Sequence, residues 1–273
     1  MDWVNPPNVF NLIEKNEDDE FPLKLVKKEA ISPDTYEMTF EFPNPDWIMG
    51  LFPAGHLFMH ADIDGKRVTK KYTPISPVNQ KGTIVFVIKV YRPCEEFPNG
   101  GQFTSWMENN VNVGDNLLFS GPIGMIKYHG YGQIEFKKKM LETKKTKIGL
   151  LAGGSGITPM YSIALASSLA KDGVAVTLIF SNKTKDDILC KKELDAMEAM
   201  NPNCKVVHTL TRHKEEHGEW NGEVGRLSSA MFQKYMPAHA DDVFIALCGN
   251  KGFCENAAAI LDELGYVSGV SRP

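Results

Sequence analysis

The segment Leu150-Leu151-Ala152-Gly153-Gly154-Ser155-Gly156-Ile157-Thr158-Pro159 decides how the second half of this chain folds. Its apolar start is typical of a buried strand, and Pro159 suits the first turn of a helix. Three glycines in the turn between them let the backbone approach a pyrophosphate closely, and the helix N-terminus adds amide groups and partial positive charge. A plain strand-to-helix turn is the alternative, which the Ile-Thr-Pro continuation disfavours. The pattern is not Gly-x-Gly-x-x-Gly, because residue 159 is proline.

Strand and helix patterns alternate downstream of this turn. The predicted strands are Ile148 to Ala152, Val174 to Phe180, Lys205 to Thr211 and Asp242 to Cys248. The predicted helices cover residues 159–171, 186–200, 227–236 and 252–265. Continuous apolar strands separated by helices indicate a parallel sheet that is covered on both faces. Residues 148–273 are therefore predicted to form an α/β parallel-sheet domain that binds a nucleotide.

The first half of the chain carries short strand signals punctuated by Gly and Pro. The predicted strands cover residues 36–42, 57–63, 66–75, 83–91 and 116–120. Asp64-Gly65 lies between two of them and is typical of a tight hairpin turn. Such a series predicts an N-terminal antiparallel β-barrel, which we place at residues 21–137. Residues 1–20 are expected to be a lead-in, and the lysine-rich stretch 138–147 is expected to be a linker.

Composition narrows the class of protein. The formal net charge of −4 argues against nucleic-acid binding, which needs a basic face. No apolar run reaches the roughly 20 residues that cross a bilayer, and the N-terminus lacks the pattern of a signal peptide. The five cysteines are odd in number and form no Cys-x-x-Cys pair, so neither a disulfide framework nor a metal site is expected. We expect a monomeric cytoplasmic protein without a membrane span.

Two polar motifs lie within the predicted barrel. In Lys70-Lys71-Tyr72-Thr73-Pro74, two cations, a ring and a hydroxyl follow one another. Adjacent strand residues face opposite ways, and a bend at the proline would let the ring and the hydroxyl reach one ligand. In Gly100-Gly101-Gln102-Phe103-Thr104, the glycines let backbone amides approach a phosphate. Taken alone, the first motif fits an ordinary edge strand equally well.

With the turn at 153–159 and with Cys248-Gly249 at the end of the last predicted strand, these motifs resemble a known family by their order and spacing. The resemblance is to the flavin-dependent reductases of the ferredoxin-NADP reductase superfamily, in the cytochrome b5 reductase and nitrate reductase branch. It covers roughly residues 20 to 265. It implies that FAD is bound by the barrel and NAD(P)H by the α/β domain. The implied reaction passes a hydride from NAD(P)H to FAD and then single electrons to an acceptor.

The resemblance also implies roles in flavin binding. Tyr72 would pack at the flavin, Thr73 would approach its N5 atom, and Lys70 stands where the family has a phosphate-binding Arg, with Lys71 as a second cation. Because Lys is a point charge and Gln102 replaces a family Lys, we expect weaker FAD binding than in relatives that carry the Arg. Thr104 and His56 would lie near the reacting centre. The other implied flavin contacts are Val87, Ile88, Lys89, Tyr91, Gly100, Gly101, Phe103 and Thr158.

The coenzyme site follows from the same resemblance. The pyrophosphate contacts would be Gly153, Gly154, Ser155 and Gly156, and Cys248 with Gly249 would hold the nicotinamide. NADH-using relatives have an Asp where this chain has Thr211, and Lys183, Arg212 and Lys214 are nearby in the pattern. Positive charge favours the 2′-phosphate of NADP, so we predict that NADPH is accepted as well as NADH. The alternative is that these cations are solvated surface charges.

The electron acceptor is predicted from the distribution of basic residues. Basic residues in segments near the predicted flavin site are Lys70, Lys71, Lys89, Arg92 and Lys127. A basic rim attracts a small acidic haem protein, which favours cytochrome b5 as acceptor. A nitrate reductase haem domain, an iron-sulfur protein and a quinone stay open as acceptors. A non-catalytic nucleotide-binding module is the alternative from another class.

Overall fold

The computed structural model describes residues 19–95, 98–214, 218–266 and 270–271. The chain divides into two compact units, residues 1–124 and residues 125–273. Of the predicted lead-in, residues 1–18 lie outside the described residues. Each unit is described by itself below, with its own sheet and its own core.

The first unit is an antiparallel sheet of six strands. They are β1 (Phe21–Ser32), β2 (Thr35–Glu41), β3 (His56–Ile63), β4 (Lys66–Tyr72), β5 (Thr83–Lys89) and β6 (Asn116–Ile123), and the helix α1 (Gln102–Asn110) precedes β6. Their order in the sheet is β4-β3-β6-β1-β2-β5. Just beyond β4, the Ile75 amide donates to the Val85 carbonyl of β5 at 2.9 Å, which brings the two edges of the sheet together. The predicted N-terminal antiparallel β-barrel is confirmed.

Alternation of apolar side chains explains this sheet. On β3, Leu57, Met59, Ala61 and Ile63 are buried in one core. The rings of Phe40, Phe86 and Phe119 meet in that core with centroids 5.1 to 6.0 Å apart. Asp64 and Gly65 join β3 to β4 with backbone φ angles of 52° and 72°, as the hairpin signal predicts.

The second unit contains a parallel sheet covered by helices, as predicted. In chain order its elements are β10 (Lys147–Gly153), α2 (Ile157–Ala170), β11 (Ala175–Asn182), α3 (Lys191–Met200), β12 (Cys204–Leu210), β13 (Glu223–Val224), α4 (Ser229–Tyr235), β14 (Val243–Cys248), α5 (Lys251–Glu263) and β15 (Val270–Ser271). The strand order is β13-β12-β11-β10-β14-β15. A small antiparallel sheet precedes them, formed by β7 (Ile126–Tyr128), β8 (Ile134–Phe136) and β9 (Lys139–Met140). None of the helices in the described ranges combines the length and apolar character needed to cross a bilayer.

The structure differs from the sequence prediction in the stretch 138–147. This stretch contains β9 and the first residue of β10, and it is bonded to the rest of the second unit. The Lys145 amide donates to the Gly132 carbonyl at 2.8 Å, and the Lys145 ammonium donates to the Asp241 carbonyl at 2.6 Å. Just before this stretch, the Tyr128 hydroxyl and the Tyr131 amide donate to Asp172. High charge suggested a linker, but these pairings depend on residues distant in sequence.

The predicted helix 186–200 is wrong in its first part. Residues Lys185–Asp187 form a single 3-10 turn, closed by a reciprocal cap between Thr184 and Asp187. Cys190 then takes a left-handed conformation with φ 53°, and α3 begins only at Lys191. A left-handed residue cannot lie inside a right-handed helix, so the helix is shorter than its apolar pattern suggests.

Candidate active site

The glycine segment before α1 is shaped by contact with the chain after β5. The Gly101 amide donates to the Tyr91 carbonyl at 2.6 Å. Gly100 has φ 58°, and a Cβ there would lie 2.7 Å from the same carbonyl. Any side chain at Gly100 would therefore collide with backbone, and only glycine fits. Helix α1 begins at Gln102, and no side chain caps its first amides. Uncapped amides at a helix start can bind an anion.

Strand β4 divides the predicted flavin residues between two faces. Cross-strand pairing places Lys70 opposite Met59 and Tyr72 opposite Leu57, on the face of the buried core. The Tyr72 ring lies 6.0 Å from the Phe103 ring of α1, tilted by 34°. Burial raises the pKa of the Tyr72 hydroxyl, with a smaller contribution from Tyr91, so the ring is neutral at physiological pH. Lys70, Tyr72 and the start of α1 thus share one side of the barrel.

The opposite face of β4 carries Lys71. Its ammonium lies 5.7 Å from the centre of the Phe58 ring, and the His56 ring packs edge-on against Phe58 with centroids 5.9 Å apart. Burial and the positive charge of Lys71 lower the pKa of His56 from 6.5 to about 4, so this histidine is neutral at pH 7. The buried Nε2 atom of His56 has no hydrogen-bond partner among the described residues. The two lysines of the motif therefore do not approach one phosphate from the same face.

The remaining predicted flavin residues lie on β5 and at the start of α1. Lys89 forms an ion pair of 2.9 Å with Asp34, and Val87 and Ile88 are buried beside it. The Thr104 hydroxyl donates to the Gly101 carbonyl at 3.1 Å and accepts from the Tyr91 amide at 3.3 Å. This hydroxyl therefore fastens the glycine segment to the chain after β5. Thr73 is buried, and Tyr91 is 41% exposed.

In the second unit, the structure brings the glycine turn and Cys248-Gly249 into direct contact. Strand β10 pairs with β14, and Ala152 lies opposite Cys248. A Cβ on Gly156 would lie 2.2 Å from the Cys248 carbonyl oxygen. Cβ atoms on Gly153 and Gly249 would each lie within 2.7 Å of the Phe253 ring. Two motifs about 95 residues apart thus form one cradle, as expected where parallel strands end together.

The groups around this cradle are neutral and bonded to backbone. Burial, with a smaller effect of Cys254, raises the pKa of the Cys248 thiol to about 11, so it is not a thiolate at neutral pH. The Thr158 hydroxyl of α2 lies 3.4 Å from the Ser155 carbonyl to which it donates. Gly154 has φ 53°, and no atom lies within 4 Å of a Cβ placed there, so open space faces the turn. A pyrophosphate can approach backbone amides at such a turn.

The ends of β11 and β12 carry the predicted coenzyme-selecting residues. The Thr211 amide donates to the Asn182 carbonyl at 2.8 Å, and the Arg212 amide donates to the Lys183 carbonyl at 2.9 Å. Lys183, Arg212 and Lys214 are exposed, and Thr211 is half-buried. The structure therefore places two cations and Thr211 together, at the same sheet edge as the glycine turn.

The sequence analysis did not identify the residues that pack against the glycine turn or bind the end of α1. Phe253 packs under both Gly153 and Gly249. In the first unit, the Lys28 ammonium donates to three carbonyls at the end of α1, those of Met107, Glu108 and Val111, at 2.7 to 3.0 Å. A lysine on a strand and a phenylalanine on a helix carry no pattern that marks such contacts, since their partners lie far away in sequence.

Comparison with known proteins agrees with this arrangement. Residues 22–128 match the model of an oxidoreductase FAD-binding domain, and residues 150–259 match that of an oxidoreductase NAD-binding domain. NADH-cytochrome b5 reductase 2 of Danio rerio is 34% identical over 96% of this chain and 87% of its own length. The chain belongs to the cytochrome b5 reductase family. It is a flavin-dependent NAD(P)H oxidoreductase with an FAD-binding and an NAD-binding domain.

Nitrate reductases share this family module. Nitrate reductase [NADH] 1 of Zea mays is 34% identical over 83% of this chain, which covers 37% of that longer protein. The cytochrome b5 reductase domain of Ulva prolifera nitrate reductase superposes with a TM-score of 0.86 at 26% identity. The match covers 93% of this chain and 96% of that domain. The cytochrome b5 reductase fold therefore extends over nearly the whole chain.

Proposed function

We propose that this protein passes electrons from NADPH or NADH, through bound FAD, to cytochrome b5 or a similar small haem protein. The contact of Gly156 with the Cys248 carbonyl carries the donor half of this proposal. It joins the pyrophosphate turn to the residues that we assign to the nicotinamide. The names of the relatives, which include NADH-cytochrome b5 reductases, support the acceptor.

The residues of this chain would bind and orient rather than exchange protons. When bound, FAD supplies the redox chemistry, because it accepts a hydride and releases electrons singly. The Tyr72 ring offers a flat apolar surface, and Lys70 offers a positive charge on the same face. The pKa of the Cys248 thiol is about 11, so the thiol is neutral at physiological pH, which suits packing against an uncharged ring. Thr73 and Thr158 are proposed to contact the flavin.

The FAD-binding function is proposed to lie in residues 21–124, which is shorter than the sequence-based limit at residue 137. The first compact unit ends at Gly124, and the matching FAD-binding model ends at residue 128. Residues 125–147 are bonded to the second unit through Asp172 and Lys145. The nucleotide-binding function is proposed to lie in residues 148–273.

Acceptance of NADPH is proposed from the ends of β11 and β12. Thr211 carries no charge, and its amide donates to the Asn182 carbonyl. The exposed Lys183 and Arg212, the next residues along the chain, are joined by a hydrogen bond from the Arg212 amide to the Lys183 carbonyl. A 2′-phosphate carries roughly −1.5 to −2 charges at neutral pH. It would meet cations at this strand end, and the uncharged Thr211 would not repel it as an Asp would. Steady-state kcat/KM with each coenzyme tests this. A strong preference for NADH would contradict it.

The basic rim offered for an acidic acceptor is smaller than the sequence suggests. Lys89, Arg92 and Lys127 form ion pairs with Asp34, Glu108 and Glu135. Lys71 is exposed on the face of β4 opposite Lys70, which we assign to FAD, and Lys71 is the residue of the rim that we propose for acceptor docking. Exposed charges of this kind act mainly on the association rate and are screened by salt.

An acceptor panel tests the proposal. Purified protein should be yellow, its flavin absorbance should bleach on addition of NADPH or NADH, and cytochrome b5 should be reduced faster than a quinone or a ferredoxin. Reduction of the ferredoxin or the quinone without reduction of cytochrome b5 would contradict the proposed acceptor. Protein that stays colourless with excess FAD would favour the non-catalytic module. A cytoplasmic monomer is proposed as well, and gel filtration checks its mass.

A further inference from the structure

Positive charge is concentrated in one short part of the second unit. Residues 125–147 contain seven lysines, two glutamates and no arginine, a formal charge of +5. The whole chain has a formal charge of −4, so the other 250 residues sum to −9. Lys145 is buried, and Lys127 and Lys147 pair with Glu135 and Asp242, whereas Lys137, Lys138, Lys139 and Lys144 are exposed. Exposed positive charge on an otherwise acidic protein marks a surface for an anionic partner. The reductase activity described above assigns no role to it.

The tip of this segment is a strained turn. Lys137 and Lys138 join β8 to β9 as a two-residue loop, and both have positive φ angles, 50° and 64°. Positive φ is unfavourable for residues with a side chain, and such turns prefer Asn-Gly or Asp-Gly. The hairpin at Asp64-Gly65 uses the favoured residues for the same conformation. At the β8–β9 turn, two exposed lysines stand in their place.

The exposed face of the small sheet adds apolar side chains beside these lysines. Met140 lies opposite Glu135 across the strands, and the Lys137 amide donates to the Met125 carbonyl at 2.7 Å. Met125 is 46% exposed and Met140 is 53% exposed. Glu135 is the anion on this face, and Lys127 neutralises it at 3.1 Å.

The other face of the hairpin packs against the parallel sheet of the second unit. The Phe136 ring contacts the Phe244 ring of β14, with centroids 6.3 Å apart. The turn is therefore presented from a fixed base.

We propose that this hairpin tip binds the anionic phospholipid surface of a membrane. Lys137 and Lys138 of the turn would lie among the headgroups, and Met125 and Met140 would enter the apolar boundary. Each lysine near an anionic leaflet strengthens binding about five-fold, and exposed apolar side chains add to it. The occupant is a lipid surface rather than a fitted acidic protein because every strong cation here is lysine. Lysine acts as a mobile point charge, whereas arginine suits fixed carboxylates.

Vesicle co-sedimentation of the FAD-loaded protein tests the proposal. The probes are phosphatidylcholine vesicles with or without about one third phosphatidylserine, at about 0.1 M and about 0.5 M salt. The test variant is Lys137→Asn with Lys138→Gly, which removes two charges and installs the residues that the turn prefers. The control is Lys66→Gln with Lys192→Gln, which removes two exposed lysines elsewhere.

We expect binding to the anionic vesicles only, lost at high salt, and weakened roughly 30-fold by the turn variant but not by the control. The turn variant should unfold at the same or a higher temperature, so that lost binding is not lost folding. Met125→Ser with Met140→Ser should weaken binding several-fold at low salt.

Failure of the unmodified protein to bind anionic vesicles, or equal binding by the turn variant and the control, would overturn the proposal. Binding of an acidic protein through these lysines, without vesicle binding, would overturn it too. Reduction of soluble acceptors should be the same in all variants. The inference is therefore independent of which acceptor the enzyme uses.

Discussion

The two glycine-rich segments of this protein are built differently. Around Gly156 and Gly153, the glycines are required by packing, because a Cβ would meet the Cys248 carbonyl or the Phe253 ring. At Gly100, glycine is required because φ is positive and the Tyr91 carbonyl is close. The Thr104 hydroxyl adds hydrogen bonds to the Gly101 carbonyl and the Tyr91 amide. The first segment lies in the nucleotide-binding unit and the second in the flavin-binding unit.

The difference bears on which positions of this chain can depart from the family pattern that its motifs resemble. A site made of backbone amides tolerates few changes, since any side chain blocks it. A site that also depends on charged side chains can exchange them at moderate cost. The departures that the resemblance implies in the flavin-binding unit, at Lys70 and Gln102, are side chains, whereas the backbone-built turn at 153–156 has three glycines.

The largest expected effect comes from Gly156→Ala. The new Cβ, 2.2 Å from a carbonyl oxygen, must displace the end of β14, so we expect coenzyme affinity to fall at least about 100-fold and stability by about 3 kcal/mol. Gly154→Ala is the matched control, since only its φ of 53° opposes a side chain, at about 1 kcal/mol. Coenzyme titration and thermal unfolding measure both. Equal effects would show that packing does not distinguish the two glycines.

Thr211→Asp tests whether the side-chain part of the coenzyme site selects the ligand. The new carboxylate beside Arg212 would repel a 2′-phosphate, so the ratio of kcat/KM for NADPH to that for NADH should fall about 30-fold. Thr211→Asn, which has a similar size and no charge, is the control. An unchanged ratio would mean that the 2′-phosphate does not lie at this strand end.

Acid should weaken both units, and a buried histidine contributes in each, His56 in the first and His208 in the second. Burial lowers the pKa of His56 to about 4, with Lys71 contributing, and burial lowers that of His208 to about 4, with Lys191 contributing. Between pH 6.5 and pH 4, these histidines bind protons in the unfolded chain but not in the folded protein. Their contribution to the free energy of unfolding is therefore complete above pH 6.5 and is lost as the pH falls toward 4. We expect each histidine to lower the free energy of unfolding by roughly 1–2 kcal/mol at pH 5, after allowance for its partial exposure.

Urea unfolding at pH 7 and pH 5 measures this loss. His208→Phe should reduce the loss, because both ring nitrogens of His208 lack partners in the described residues and the ring lies 5.9 Å from that of Phe180. His56→Phe should act likewise in the other unit. A variant with the same loss between pH 7 and pH 5 as the unmodified protein would contradict the assignment.

The smallest effect is expected from Lys70→Arg, which introduces the residue that the resemblance implies for this position. A guanidinium can bind phosphate with two hydrogen bonds where an ammonium acts as a point charge, so FAD should bind about five-fold more tightly. Lys71→Arg is the control, because Lys71 lies on the other face of β4. Flavin fluorescence during dilution measures the dissociation constant. Equal tightening by both variants would remove the distinction between the faces.

Much of the fold was predictable because local patterns and tertiary structure agree. The alternation in β3 and the Asp64-Gly65 turn gave the hairpin, and the strand, glycine turn and helix at 147–170 appeared as expected. The stretch 138–147 and the start of helix 186–200 were not predictable. A left-handed Cys190 and the bonds that Lys145 makes to Gly132 and Asp241 leave no periodic signal.

The sequence by itself determined the family, the order of the two units and the glycine turns, because backbone requirements leave glycine and proline at fixed spacings. Only the tertiary structure decided that Lys70 and Lys71 lie on opposite faces of β4, that the Thr104 hydroxyl is bonded to backbone, and that Gly156 touches Cys248. These facts depend on strand register and on contacts between distant residues. A single sequence does not record either of them, since pairing energy is shared among many positions.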